Sequence, residues 1–211
     1  MLSKDTSHKV FIPGWATDAH LVAHIPCIST VIDTYNLDTV EQQLLTAMQI
    51  PNAQLIGFSM GAYLAKNFTL KHPSLVPKLI LIGIRPAYPI SQIENIAKRI
   101  TRNKDGYLDQ FYKACFKTKL DYVAFTKQLP HYAKQFELEC LLNHLNYLKN
   151  ASFTQAEFEA LQHTTLIQGE HDLISPNKEL TPITNQTHCV IKQSGHIPFF
   201  NQTFINKLLA I

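Results

Sequence analysis

Short apolar runs alternate with segments of helical periodicity over most of the chain, the pattern expected of a parallel sheet covered by helices. Residues 8–13, 29–33, 53–58 and 76–84 read as four strands, and 164–168 and 188–192 as two more. Between them, 38–49 sets Val40, Leu44, Leu45 and Met48 on one helical face behind Asp38, an acid suited to N-capping. The segment 60–72 does the same with Leu64, Ala65, Phe68 and Leu70 before it meets Pro73. A closing helix is expected over 199–209. Both strand blocks are assigned to one sheet, so the fold class is α/β.

Over 85–150 the strand signal vanishes and helical spacing takes over, as in Leu108, Phe111/Tyr112 and Cys115/Phe116. This stretch reads as an inserted helical lid on a core formed by 1–84 and 151–211. The lid carries eleven Lys/Arg and six Asp/Glu, a net +5 against +3 for the whole chain, so the remainder is negative. It also holds ten of the 21 aromatic residues, enough both to pack the lid and to line an apolar channel.

A length of 211 residues with 45% hydrophobic residues suits one domain whose core needs no disulfide or metal staple. Cys27, Cys115, Cys140 and Cys189 are far apart and form no C-x-x-C, so they read as reduced thiols and point to a cytoplasmic location. The start, Met1 to His8, lacks the apolar stretch of an export signal, and no apolar run reaches membrane-spanning length. The small overall charge, with no recognised motif beside the basic lid, argues against a nucleic-acid partner.

The candidate chemistry begins at Gly57-Phe58-Ser59-Met60-Gly61, a G-x-S-x-G run placed where an expected strand gives way to an expected helix. Glycines on either side leave room for a serine held in a strained, exposed turn. A serine hydroxyl attacks only when a base takes its proton, so the run demands an acid and a histidine downstream. Asp172 follows the strand 164–168, 113 residues after Ser59, and His196 follows the next strand, 24 residues later. Glu170 is the alternative acid. Glu170, His171 and Asp172 as metal ligands are disfavoured, because three consecutive side chains do not readily converge on one ion; neither metal nor cofactor is expected. Backbone N–H groups of Met60 and of Trp15, in Pro13-Gly14-Trp15 after the first strand, are the expected oxyanion donors. Five of the seven glycines, at 14, 57, 61, 169 and 195, flank these loops.

With these motifs the chain resembles the α/β-hydrolase fold over 10–209. The resemblance implies Ser59 as nucleophile, Asp172 as acid, His196 as base, and Trp15 with Met60 at the oxyanion. It departs at Pro13-Gly14, where the family usually has His-Gly. With about eight residues before the first strand, a trimmed, mainly parallel sheet of about six strands, with helices on both faces, is expected. The short core and helical lid are similar to the pimeloyl-[acyl-carrier protein] methyl ester esterases of biotin synthesis. That likeness implies an acyl ester substrate on an acidic acyl carrier protein, met by the basic stretch 98–119 through Arg99, Arg102 and Lys113, with Phe111 and Tyr112 contacting the substrate. The alternatives are a general short-chain carboxylesterase or thioesterase, or a non-catalytic binding protein on the same fold.

Overall fold

A computed structural model describes residues 8–176 and 181–211; the segment read for an export signal lies largely outside them, since 1–7 are not described. Six parallel strands form one sheet: β1 (Lys9–Ile12), β2 (Ile28–Val31), β3 (Gln54–Phe58), β4 (Lys78–Ile82), β5 (Thr164–Gly169) and β6 (Thr187–Ile191), in the order β2-β1-β3-β4-β5-β6. β1 and β3 are buried along their whole length, as the continuous apolar runs of a two-sided parallel sheet require, while the edge strands β2 and β6 are part-exposed. The helices are α1 (Val40–Ala47), α2 (Met60–Lys71), α3 (Ile90–Arg102), α4 (Lys104–Ala114), α5 (Lys119–Gln128), α6 (Leu138–Asn150), α7 (Gln155–Ala160) and α8 (Gln202–Ala210).

The expected bounds shift by up to three residues, as at the second strand (Ile28–Val31) and the closing helix (Gln202–Ala210), and two further shifts have a clear local cause. The fourth strand ends at Ile82 and not at residue 84, because Gly83 turns to φ +61°. The first expected helix region, 38–49, is capped by Asn36, whose side chain accepts from the Asp38 N–H at 3.0 Å; Asp38 itself lies inside a 3₁₀ turn, Leu37–Thr39, that precedes α1.

Helices α3 to α6 leave the sheet after β4 and return before β5. Their two ends are clamped together by an antiparallel bridge between Ala87 and Ser152 and by the Phe153 N–H donating to the Pro86 carbonyl at 2.7 Å. Among the described residues, no helix is long and apolar enough to cross a membrane.

The strand order places the site. After β1 the chain runs outward to β2 and then returns to pair β3 on the other side of β1, so the winding reverses between β1 and β3. Ligands of open parallel sheets bind where such a reversal parts the loops at the strand carboxyl ends. Register then aligns the strand ends: Phe58 pairs Ile82, and Ile82 pairs Ile167. Ser59, Gly83 and Gln168 therefore come level, one residue further on.

Candidate active site

Ser59 sits where β3 turns into α2, with φ +52° and ψ −113°, a conformation that L side chains rarely adopt. Its N–H is tied to the Ile82 carbonyl at 2.8 Å. The turn is possible because α2 starts hard against β1: a Cβ on Gly61 would collide with the Ile12 carbonyl.

The Ser59 Oγ lies 3.0 Å from His196 Nε2, and His196 Nδ1 lies 2.8 Å from Asp172 Oδ2. All three side chains are buried. Asp172 is held from several directions: its Oδ1 accepts the N–H groups of Ile174 at 2.9 Å and Ser175 at 2.8 Å, and its Oδ2 also accepts from Gln168 Nε2 at 2.8 Å. Burial alone would raise the Asp172 carboxyl, but the neighbouring His196 and these donors outweigh it and hold the group below its ordinary value. A carboxylate so held fixes the imidazole with Nδ1–H toward Asp172 and leaves Nε2 free to accept the serine proton.

Glu170 is exposed; its Oε2 accepts the Gln193 N–H at 3.0 Å and lies 3.4 Å from His171 Nε2. It makes no contact with His196. The structure thus brings Asp172, and not Glu170, to the histidine.

On the other side of Ser59, Gly14 comes so close that an added Cβ would stand 3.0 Å from the Ser59 Cβ. This brings the Trp15 loop beside the Met60 end of α2. Within the described residues neither the Trp15 nor the Met60 backbone N–H is paired with a backbone acceptor. The Trp15 indole is committed elsewhere, donating to the Leu141 carbonyl in the lid at 3.0 Å, so any oxyanion contact by Trp15 falls to its main chain.

A cavity of about 60 Å³ opens onto Ser59 and is walled by Trp15, Tyr88, Ile93, Tyr107, Phe111 and Leu145, with Gln92 among its few polar lining groups. Phe111 meets the Trp15 ring edge-on at 5.1 Å. Tyr112 is placed differently from the substrate contact expected of it. Its ring is buried against Phe125 and Tyr132, and its hydroxyl donates to the Ala16 carbonyl at 2.6 Å, so it does not line the cavity. Arg99, Arg102 and Lys113 are exposed; Arg99 lies over the Tyr107 ring at 4.7 Å and donates to Gln110 at 3.2 Å.

Two supporting residues escaped the sequence reading. A Cβ on Gly83 would stand 3.0 Å from His196 Cε1, and the φ of +61° is itself a glycine conformation, so this position makes room for the imidazole. Gln168 supplies a side-chain donor to Asp172 Oδ2, beside His196 Nδ1. The available signals were a glycine inside one expected strand, 76–84, and a polar side chain closing another, 164–168.

A family model for the alpha/beta hydrolase fold matches residues 23–139, a span that includes Ser59 and stops short of Asp172 and His196. No curated protein sequence matches the chain. Among solved structures it is similar to an esterase from Exiguobacterium antarcticum, with a TM-score of 0.80 at 17% identity over 97% of this chain and 91% of that one. A bromoperoxidase from Bacillus anthracis gives a TM-score of 0.80 at 21% identity over 97% and 91%. A thermophilic esterase from Thermogutta terrifontis gives 0.75 at 18% over 97% and 87%. With the family model matching more than half of its length and a six-stranded parallel sheet carrying a serine elbow, the chain belongs to the alpha/beta hydrolase fold family.

Proposed function

We propose that the protein is a serine carboxylic-ester hydrolase that works through an acyl-enzyme, and that its ester is the methyl ester of a pimeloyl chain borne on an acidic acyl carrier protein. The observation that carries the hydrolase reading is the continuous run from Asp172 through His196 to the Ser59 Oγ, at 2.8 and 3.0 Å, beneath a cavity. His196 takes the Ser59 proton as Oγ bonds to the ester carbonyl carbon. The negative charge that develops on the carbonyl oxygen is met by the Trp15 and Met60 N–H groups. His196 then gives its proton to the departing alkoxide, and a water activated by the same imidazole cleaves the acyl-enzyme to acid and free serine.

Two features support the finer reading. The cavity onto Ser59 is lined mainly by aromatic and aliphatic side chains, a wall that suits an apolar acyl chain or its small alkoxy group. The exposed cations Lys98, Arg99, Arg102, Lys113, Lys117 and Lys119 lie on α3, α4 and the approach to α5, a surface that attracts an acidic partner. The free cysteines, of which Cys115 and Cys140 are buried, accord with a cytoplasmic setting.

The test is a hydrolysis screen across p-nitrophenyl esters of increasing acyl length, acyl-CoA thioesters and carrier-linked methyl esters. The proposal predicts the highest kcat/KM on the carrier-linked methyl ester. A preference for free short esters would leave a general carboxylesterase, and turnover of the thioesters alone would make the protein a thioesterase.

A further inference from the structure

The turn Gly14-Trp15-Ala16-Thr17 carries the proposed oxyanion donor and is built on an unfavourable backbone. It is closed by the Thr17 N–H donating to the Gly14 carbonyl at 3.3 Å, and its third residue, Ala16, has φ +54°. That position of a turn favours glycine when φ is positive, because the alanine Cβ crowds the neighbouring carbonyl. The Thr17 Oγ1 also ties the ends of the turn, accepting the Gly14 N–H at 2.7 Å and donating to the Gly14 carbonyl at 3.0 Å, but neither bond engages Ala16, which left alone is drawn toward negative φ. Two bonds from the lid oppose this. The Tyr112 hydroxyl on α4 donates to the Ala16 carbonyl at 2.6 Å, and the Leu141 carbonyl on α6 accepts from the Trp15 indole at 3.0 Å. The first of these is within the protein interior: Tyr112 and Ala16 are both buried, so water does not replace the bond when it is lost. Burial also drives the Tyr112 phenol well above its ordinary value, keeping it a proton donor at any working pH.

We infer that Tyr112 is a positioning residue for the oxyanion site: by holding the Ala16 carbonyl it locks the Gly14–Thr17 turn in the left-handed form that presents the Trp15 N–H to the reacting carbonyl. This rests on the hydrolase reading and adds to it that the lid is needed for chemistry as well as for cover. A lid lifted off the core breaks the Tyr112 and Leu141 bonds together, so the donor is set only when the lid is seated.

The test is steady-state hydrolysis of a p-nitrophenyl ester by the full chain, by Tyr112→Phe, by Ala16→Gly and by the double variant. Removal of a single oxyanion donor costs about 10²–10³-fold in kcat; a loosened donor is expected to lose part of that, so Tyr112→Phe should lower kcat about tenfold or more with KM little changed. Glycine takes φ +54° without strain, so Ala16→Gly in the Tyr112→Phe background should recover most of the lost kcat. A tyrosine that served only to pack the lid would give no such rescue, because Ala16→Gly restores no packing. Thermal melts of the four proteins separate loss of fold from loss of positioning. Parent-like kcat in Tyr112→Phe, or a loss that Ala16→Gly leaves untouched, overturns the inference while Ser59-dependent hydrolysis by the parent keeps the hydrolase reading. Absence of hydrolysis in the parent overturns both.

Discussion

His196 reaches Ser59 past a residue that has no side chain. Gly83 lies between the nucleophile strand and the acid strand, and an alanine there would put its Cβ 3.0 Å from the imidazole in a backbone conformation suited to glycine. Gly83→Ala is therefore expected to destabilise the fold by about 1 kcal/mol or more and to lower kcat by displacing the base; urea unfolding and ester hydrolysis read the two effects. For the acid, Asp172→Asn should cut kcat by about 10³–10⁴-fold because it reverses the hydrogen-bond preference that sets the histidine tautomer. Glu170→Gln, on an exposed side chain remote from His196, should leave kcat near the parent value, and kinetics of the two variants side by side decide the assignment. The carboxyl of Asp172 also makes a pH prediction. Its value is depressed in the folded state, so it adds stability that is present above the ordinary carboxylate range and is lost as the pH falls through the lower folded value. The stability gap between the parent and Asp172→Asn should accordingly be widest near pH 7 and shrink below about pH 4, as followed by denaturation across that range.

At the scale of elements, the strands of the sheet were readable because each central one is a short apolar run, and the serine turn because its glycines sit between such a run and a helix. Local pattern carried that far. Gly83 and Tyr112 were not readable in the same way, since each is defined by a partner far along the chain: His196 after β6, and Ala16 after β1; Gln168 meets Asp172 only four residues on, but it is the turn after β5 that brings the two side chains together. The capping of the α1 region went to Asn36 because its side chain accepts the Asp38 N–H, a choice between two neighbouring polar residues that periodicity does not decide. The lid is likewise more than a cover. The end of α4 supplies the Cys115 carbonyl that accepts the Ile197 N–H at 3.1 Å, next to His196, and a Cβ on Gly195 would collide with that same carbonyl. Both the histidine loop and the Trp15 turn are thus braced by the lid. The return path of the lid is anchored through α7, where buried Lys66 on α2 meets Glu157 at 2.6 Å. Glu157→Ala leaves that ammonium without its partner and should destabilise the fold by about 3 kcal/mol, measured by thermal or urea unfolding.

Over the whole molecule, positive charge gathers on the lid, at net +5 over 85–150, while the rest of the chain is net negative. If that face receives an acidic carrier, its effect is long-range and screened and acts on encounter more than on chemistry. Reversing Arg99, Arg102 and Lys113 to glutamate together should lower kcat/KM for a carrier-linked methyl ester several-fold or more, and added salt should reproduce the loss. The same variant should turn over p-nitrophenyl butyrate at close to the parent rate; equal losses on both substrates would mean a damaged lid, and no loss on either would make the cations an ordinary solvated face. Central to this chemistry is the nucleophile role proposed for Ser59, drawn to His196 and Asp172. It is tested most directly by labelling the protein with a fluorophosphonate while ester hydrolysis is followed, then mapping the modified peptide. One equivalent of label on Ser59, with hydrolysis falling in step, is the predicted result. Hydrolysis that persists after complete labelling, or label carried on another residue, would contradict it.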